Sequence, residues 1–270
     1  MPDADCAGVP THWRVFGAGE VQALALHCTL AHSGAWAGMA AELPGLTLTA
    51  PDMLGHGRSG DWDGAGDFHT RATQQAIALM GRMGDAPLHL IGHSFGATVA
   101  LRIALELPER VASLSLFEPV LFCAARAAEG PEFAAHEAMH EPYATALMQG
   151  DSMAAAASFQ AIWGRGQPFD HTPPAQRAYI AARVHLIAAQ NETLLRDAAG
   201  MLAYGRLEGL GIPVLLAQGA ESPAIIDAIN RELARRLPQV QRATVAKAGH
   251  MLPITHAAEC AELVRAFMPG

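Results

Sequence analysis

Short apolar runs bounded by turn residues alternate with segments of helical spacing along most of the chain, and this alternation is the strongest constraint on its fold. Runs of this length are typical of strands that are buried on both faces. Strands separated by helices favour a parallel sheet, because a parallel connection has to cross over the sheet. The predicted strands are residues 21–27, 46–50, 88–91, 111–117, 212–218 and 240–246, and the predicted helices are residues 68–83, 97–107, 224–237 and 256–268.

One long segment interrupts the alternation. Residues 120–206 contain no convincing strand, and prolines break their alanine-rich and methionine-rich helical pieces. We therefore expect a mainly helical cap over these residues, inserted before the last two strands. The expected fold class is α/β: a mostly parallel central sheet with helices on both faces, a core of residues 1–119 and 207–270, and that cap.

Composition excludes several classes of function. The chain has 270 residues, and its 26 acidic against 18 basic side chains give a formal charge of −8, which disfavours nucleic acid as a partner. Although 51% of the residues are hydrophobic, no stretch of about 18 apolar residues runs without a charge or a turn former, so no membrane partner is expected.

The first ten residues and the cysteines favour a cytoplasmic location. The first ten residues are polar and acidic, unlike a signal peptide. Cys6, Cys28, Cys123 and Cys260 are widely spaced and form no C-x-x-C pair, so we expect reduced thiols and not a disulfide framework or a zinc site. A homodimer is left open.

A G-x-S-x-G pattern at residues 92–96 lies between a predicted strand and a predicted helix. Such a junction needs a sharp turn that lifts the Ser94 side chain above the sheet, and a Cβ at Gly92 or Gly96 would clash with the neighbouring strand and helix. The position at a helix N-terminus also favours developing negative charge. The alternative interpretation is a serine that only caps the helix.

Four segments, in the right order, resemble the α/β-hydrolase family. His27 ends the first predicted strand, residues 52–59 read D-M-L-G-H-G-R-S, residues 92–96 form the serine motif, and residues 248–250 read A-G-H. The resemblance covers nearly the whole chain. It implies a serine esterase or lipase-like hydrolase whose cap occupies the helical insert.

The resemblance implies a nucleophile at Ser94 and a general base at His250. A serine hydroxyl needs a base within hydrogen-bond reach, and the base needs an orienting acid. The family's commonest acid position falls on Ser222, which cannot serve as an acid. Glu118 is the favoured replacement, because the haloalkane-dehalogenase branch and some epoxide hydrolases resemble this arrangement, with the acid at that strand end. Glu221 is the alternative acid.

Two backbone N–H groups are expected to form the oxyanion hole. One belongs to Phe95, directly after the nucleophile, and the resemblance places the other in the loop after His27. Thr29 is the expected donor in that loop, and Leu30 is the alternative. Cys28 stands where the family carries a glycine, so a different path of the loop backbone is expected.

The cap is expected to roof an apolar pocket. The candidate substrate contacts are Leu30, Val120, Trp163 and Met251, which lie beside the motifs or in the cap. Arg58 is the basic residue that adjoins the motifs, and its loop is structural in the family, so a strongly anionic substrate is disfavoured.

Residues 136–140 read H-E-x-x-H, a pattern that binds zinc when it lies on a helix. Pro142 follows at once and is expected to end the helix, and no convincing third ligand follows. We expect no metal and no cofactor.

These residues predict an enzyme that cleaves a carboxylic ester or a related acyl bond of a small, largely apolar substrate. A Ser-His-Glu triad would form an acyl-enzyme and water would hydrolyse it. The same triad can cleave a thioester, a lactone or a carbon–carbon bond in a dicarbonyl compound. A slow-turnover binding or sensing protein and a cofactor-free oxygenase are alternatives from other classes.

Overall fold

The computed structural model describes residues 3–164 and 166–268. Within them, eight strands form one sheet in the order β1-β2-β4-β3-β5-β6-β7-β8. The strands are β1 (Asp3–Cys6), β2 (Val9–Phe16), β3 (Val21–Leu26), β4 (Leu46–Pro51), β5 (Leu88–His93), β6 (Val111–Phe117), β7 (Val214–Gly219) and β8 (Val240–Val245). Strands β3 to β8 pair in parallel, whereas β1 with β2 and β2 with β4 pair antiparallel. The predicted α/β fold with a mostly parallel sheet is confirmed.

The helices of the described residues flank this sheet or form the insert. They are α1 (Ala37–Ala41), α2 (Phe68–Arg82), α3 (Phe95–Glu106), α4 (Phe122–Ala127), α5 (Pro131–Met148), α6 (Ser152–Trp163), α7 (Pro174–Arg183), α8 (His185–Ala189), α9 (Asn191–Leu194), α10 (Ala224–Arg236), α11 (Leu252–Thr255) and α12 (Ala257–Phe267). Three short 3₁₀ helices cover Ser33–Trp36, Pro108–Arg110 and Phe169–His171. No helix in the described ranges combines the length and apolar character needed to cross a bilayer.

The central strands are buried on both faces, which explains their unbroken apolar runs. In β3, Leu24 and Leu26 pack into an apolar cluster with α2, α3 and α10 on one face. Ala23 and Ala25 pack with α12 on the opposite face. Because successive strand residues point to opposite faces, both faces need apolar side chains.

The hairpin of β1 and β2 is absent from the sequence prediction. It lies at the edge of the sheet, where half of each strand faces solvent and the apolar signal is weak. Its two-residue turn is Ala7-Gly8, with φ angles of +57° and +80°. A turn of this kind usually contains Asn-Gly or Asp-Gly. The Ala-Gly pair therefore does not predict it from the sequence.

Helices α4 to α9 lie between β6 and β7, where the helical insert was expected. Tyr143, Ala155 and Ile180 of this insert form a small apolar cluster with Leu30 from the core. The cap boundaries at residues 120 and 206 remain predictions.

Helix α7 of the insert is fastened to two loops of the core. The Tyr179 hydroxyl accepts a hydrogen bond from the Gly57 N–H at 2.9 Å and donates one to the Ala31 carbonyl at 3.2 Å. The Arg183 Nε donates to the Gly55 carbonyl at 3.0 Å. The insert is therefore held over the carboxyl ends of the strands.

The junction of β5 and α3 is a sharp turn around Ser94, whose φ is +56° and ψ −118°. A Cβ on Gly92 would lie 2.5 Å from the Ala97 Cα, and one on Gly96 would lie 2.2 Å from the Leu26 carbonyl oxygen. Both separations are far below van der Waals contact. The two glycines therefore allow the turn that lifts Ser94 above the sheet.

We expect Gly96→Ala to destabilise the fold by about 3 kcal/mol or more, because the clashing oxygen belongs to the backbone of a central strand. Gly81 in α2 is the matched control, since a Cβ there has no neighbour within 4 Å. Gly81→Ala should instead stabilise by up to about 1 kcal/mol. Thermal unfolding followed by circular dichroism measures both, and an unchanged Tm for Gly96→Ala would contradict the steric argument.

Candidate active site

Ser94, Glu118 and His250 follow the carboxyl ends of three parallel strands, β5, β6 and β8, and meet above the sheet. The Ser94 Oγ lies 3.0 Å from the His250 Nε2, and the His250 Nδ1 lies 2.6 Å from the Glu118 Oε2. All three side chains are buried. A hydroxyl beside one imidazole nitrogen and a carboxylate beside the other can activate the serine as a nucleophile.

The second oxygen of Glu118 is also hydrogen-bonded. Its Oε1 accepts from the Gly219 N–H at 2.7 Å and from the Ser222 hydroxyl. Ser222 stands at the loop position where the family commonly carries the acid. Here its hydroxyl binds a carboxylate that comes from another strand. The contact between Ser222 and Glu118 was not predicted from the sequence. The feature that could have predicted it is a short polar side chain at that loop position.

Glu221, the alternative acid, lies elsewhere. Its side chain is exposed, and its backbone N–H donates to the Ala248 carbonyl at 2.8 Å. The His250 Nδ1 faces the fully buried Glu118 instead. The geometry therefore favours Glu118 as the partner of the imidazole.

The two expected oxyanion donors lie beside Ser94, one at the start of α3 and one in the loop after β3. Phe95 is the first residue of α3, so its N–H has no acceptor within the helix. Thr29 follows β3 and lines the same cavity as Ser94. The Thr29 hydroxyl donates to the Gln190 Oε1 of the insert at 3.0 Å, which anchors the loop to the cap.

The loop accommodates cysteine in place of the family's glycine. The Cys28 carbonyl accepts from the Ala31 N–H at 3.2 Å, which closes a tight turn. The left-handed conformation in this turn falls on Leu30, with φ +66°, and not on Cys28. A side chain is therefore tolerated at Cys28, and the strained backbone lies two residues later.

His27 ties this loop to the loop of residues 52–59. Its Nδ1–H donates to the Cys28 carbonyl at 2.8 Å, and its Nε2 accepts from the Met53 N–H at 2.9 Å. Burial lowers the pKa of His27 to about 4. A neutral imidazole with one donor and one acceptor nitrogen fits both contacts.

Asp52 holds the same two loops by its carboxylate. It accepts from the Ser33 N–H at 2.7 Å and from the Arg58 N–H at 2.8 Å. Burial raises the pKa of Asp52, but these hydrogen bonds outweigh it and leave the pKa below its usual range. A Cβ on Gly57 would lie 2.1 Å from the Asp52 Oδ2, so this loop also depends on a glycine.

His93 supports His250 from below. Its Nε2–H donates to the His250 carbonyl at 2.8 Å, and the two ring centroids are 5.1 Å apart. Burial lowers the pKa of His93 well below its usual value. His93 thus holds both the ring and the backbone of His250.

Trp163 of the insert packs against His250 in a T-shaped arrangement, with 4.6 Å between the ring centroids and 67° between the ring planes. The indole Nε1–H donates to the His140 Nε2 at 2.7 Å, and the His140 Nδ1 lies 3.0 Å from the His136 carbonyl. Two residues of the H-E-x-x-H pattern thus help to place a tryptophan. The described residues contain no group of three or more His, Cys, Asp or Glu side chains that could hold a metal.

The expectation that the helix ends at Pro142 is wrong. Helix α5 continues through Pro142 to Met148. Pro142 lies on the exposed side of α5, whereas Tyr143 and Ala146 on the other side pack into the apolar cluster of the insert. Their burial offsets the cost of the missing backbone hydrogen bond, about 3 kcal/mol.

A cavity of about 1000 Å³ opens beside Ser94 and His250. Of the predicted substrate contacts, Leu30, Trp163 and Met251 line it. Val120 does not line this cavity. Its side chain is buried in the main apolar cluster, because the chain turns inward before α4.

The buried histidines predict a loss of stability in acid. Burial lowers the pKa of His27 to about 4 and the pKa values of His56, His69 and His136 to about 3. Below about pH 6.5 the unfolded chain binds protons that the folded chain does not, so the free energy of unfolding falls by about 1.4 kcal/mol per pH unit for each such group. Tm measured between about pH 7 and pH 5 should fall steadily.

His136→Phe is the matched variant for this test. The His136 ring packs 4.1 Å from the Phe122 ring, and its Nδ1 is without a hydrogen-bond partner among the described residues. Phenylalanine therefore keeps the packing and removes one titrating group. The pH dependence of Tm should become shallower, and an identical dependence in the two proteins would contradict the assignment.

Comparison with known proteins identifies the family to which the fold belongs. The family described as "alpha/beta hydrolase fold" matches residues 24–257. Lipase LipV of Mycobacterium tuberculosis is 36% identical over 115 residues, which are 42% of this chain and 43% of that protein. Monoglyceride lipase of Homo sapiens is 30% identical over 116 residues, 41% of this chain and 38% of that protein. The chain thus matches about two-fifths of the length of these relatives.

Similarity to solved structures extends over the whole chain. The crystal structure of a hydrolase from Pseudomonas aeruginosa PA01 has a TM-score of 0.77 and 21% sequence identity, over 99% of this chain and 97% of that one. At this identity the likeness concerns the fold alone. Together with the match over residues 24–257, it shows that this chain belongs to the α/β-hydrolase family.

Proposed function

We propose that this chain is a serine hydrolase that cleaves a carboxylic ester, or a related acyl bond, in a substrate whose reacting part is small and largely apolar. The observation that carries the proposal is the unbroken line of hydrogen bonds from the Ser94 hydroxyl through His250 to Glu118, beside a cavity large enough for a small molecule. The partial similarity to two lipases supports the same class of reaction.

In the proposed reaction, the Ser94 oxygen attacks the substrate carbonyl while the His250 Nε2 accepts the hydroxyl proton. Glu118 orients the imidazole and stabilises the cation that forms on it. The bonds from Gly219 and Ser222 fix the carboxylate, so little reorganisation is needed when the charge develops.

The developing oxyanion needs donors on the side opposite the imidazole. The Phe95 N–H stands at the start of α3, where the helix dipole also favours negative charge. The Thr29 N–H is proposed as the second donor. The tetrahedral intermediate then expels the alcohol, which takes the proton from His250, and a water molecule hydrolyses the acyl-enzyme by the same steps.

Trp163 has two proposed effects on His250. The indole packs edge to face against the imidazole and limits the movement of that ring. An aromatic ring at this distance also attracts the imidazolium that forms during the reaction. The bond to His140 holds the indole in place. Leu30 and Met251 extend the apolar surface around the reacting carbonyl.

The first test measures initial rates on p-nitrophenyl acetate, butyrate and octanoate for the wild type and Ser94→Ala. We expect p-nitrophenol release by the wild type and a loss of about a thousandfold or more in the variant, because no other nucleophile replaces the hydroxyl. The trend with chain length measures the apolar space beside Ser94. Equal rates in the two folded proteins, or no release from any of the esters, would contradict the proposal.

A second test separates the two candidate acids. Glu118→Gln should lower kcat by about a thousandfold to ten-thousandfold, since the amide cannot stabilise the imidazolium. Glu221→Gln is the matched control on the neighbouring exposed loop and should change kcat by less than about twofold. The reverse result would move the acid to Glu221.

A further inference from the structure

Two arginine side chains line the same cavity as Ser94. Arg14 lies on β2, and Arg58 lies in the loop after β4. Both side chains are exposed, and within the described residues neither makes a hydrogen bond or an ion pair. The cavity is therefore lined by two arginines whose side chains have no partner in the described part of the protein.

Unpaired arginines are rare in the rest of the described chain. Arg71 is the other described arginine whose side chain has no hydrogen bond or ion pair, and it does not line the cavity. The remaining described arginines bind carboxylates or backbone carbonyls. Two of the three described arginines whose side chains have no partner among the described residues thus line one cavity, in a chain with a formal charge of −8.

The lining around these arginines offers little negative charge. Asp52 also lines the cavity, but each of its carboxylate oxygens accepts a backbone N–H. Next to Arg14 lies the imidazole of His32, and Gly34 leaves the room for both. A Cβ on Gly34 would lie 3.4 Å from the Arg14 Nη1 and 2.9 Å from the His32 Nδ1.

The cavity has an apolar part and a polar part. Leu30, Trp163 and Met251 belong to the apolar part, beside the reacting groups. The insert contributes neutral amide and hydroxyl groups to the rest of the lining, from Gln160, Gln167, Thr172 and Gln176. A ligand that fills such a cavity is amphiphilic.

The strand that carries Arg14 is separated from the strand that precedes the nucleophile by part of the sheet. Strand β2 lies three strands from β5 in the sheet order, which is roughly 14 Å at the usual strand spacing. An arginine side chain reaches part of this distance. A group bound by Arg14 is therefore several bonds away from a carbonyl carbon at Ser94.

We propose that the substrate carries an anionic group, a carboxylate or a phosphate, which Arg14 and Arg58 bind several bonds from the acyl bond that is cleaved. Guanidinium groups suit this task because their planar donors match the oxygens of both anions. The proposal rests on the proposed hydrolase function, whose substrate class it narrows.

The test uses ester pairs that differ in one charge. Mono(4-nitrophenyl) adipate is compared with its methyl ester, and 4-acetoxybenzoate with its methyl ester, so that the carboxylate lies on the acyl side or on the leaving-group side. We expect the wild type to prefer the anionic member of at least one pair by about tenfold in kcat/KM at low salt. The preference should weaken as NaCl is added, because exposed charges are screened.

The variant with both Arg14→Gln and Arg58→Gln should reduce this preference to about one. Arg71→Gln is the matched control, since it removes an unpaired arginine outside the cavity, and it should keep the preference of the wild type. The preference is a ratio within one protein, so a partial loss of folded enzyme does not change it. An equal rate on both members of both pairs, or a preference that survives in the double variant, would overturn the proposal.

A binding experiment separates this proposal from the proposed function. Ser94→Ala should gain thermal stability with monomethyl adipate but not with dimethyl adipate, and the gain should vanish when Arg14 and Arg58 are also replaced. If the wild type hydrolyses no ester but Ser94→Ala shows this gain, the hydrolase function fails and the anion site stands. If esters are hydrolysed without a preference and the gain is absent, the anion site fails and the hydrolase function stands.

Discussion

The burial of the Glu118 carboxylate is the constraint on which the rest of the site depends. A charged group without exposure to water is costly unless hydrogen bonds surround it. Glu118 receives them from His250 after β8, from Gly219 at the end of β7 and from Ser222 in the loop after β7. Satisfying one carboxylate at the end of β6 thus fixes the loops after three adjacent strands. The imidazole that faces Ser94 is placed by the same bonds that solvate this charge.

The insert takes part in that placement as well. Trp163 reaches His250 from the cap, while His93 holds the His250 backbone from the sheet. His140 fixes the indole, so a pair of histidines with the spacing of a metal site acts here through one hydrogen bond. The imidazole is therefore confined between the sheet and the helical insert, and a displacement of α6 would alter the environment of the base directly.

The sequence predicted what depends on strong local rules. Gly92 and Gly96 flank Ser94 because no side chain fits there, and buried parallel strands leave unbroken apolar runs. Features set by tertiary context were not predictable. Pro142 sits inside a helix because its neighbours are buried. Arg14 was not predicted to line the cavity because its strand belongs to the hairpin at the edge of the sheet and has no clear apolar period. Because that strand was not predicted, Arg14 was not expected in the cavity. An anionic substrate was disfavoured for this reason.

The separation of the arginines from His250 has an electrostatic reason. A positive charge close to the imidazole would oppose its protonation, which the proposed mechanism requires. Strand β2, which carries Arg14, lies three strands from β5, roughly 14 Å at the usual strand spacing. Arg14 on β2 can therefore attract an anion at a distance from the imidazolium that forms. An arginine on the loop after β8 would lack this separation, so the distance across the sheet lets a positively charged anion site and the imidazolium share one cavity.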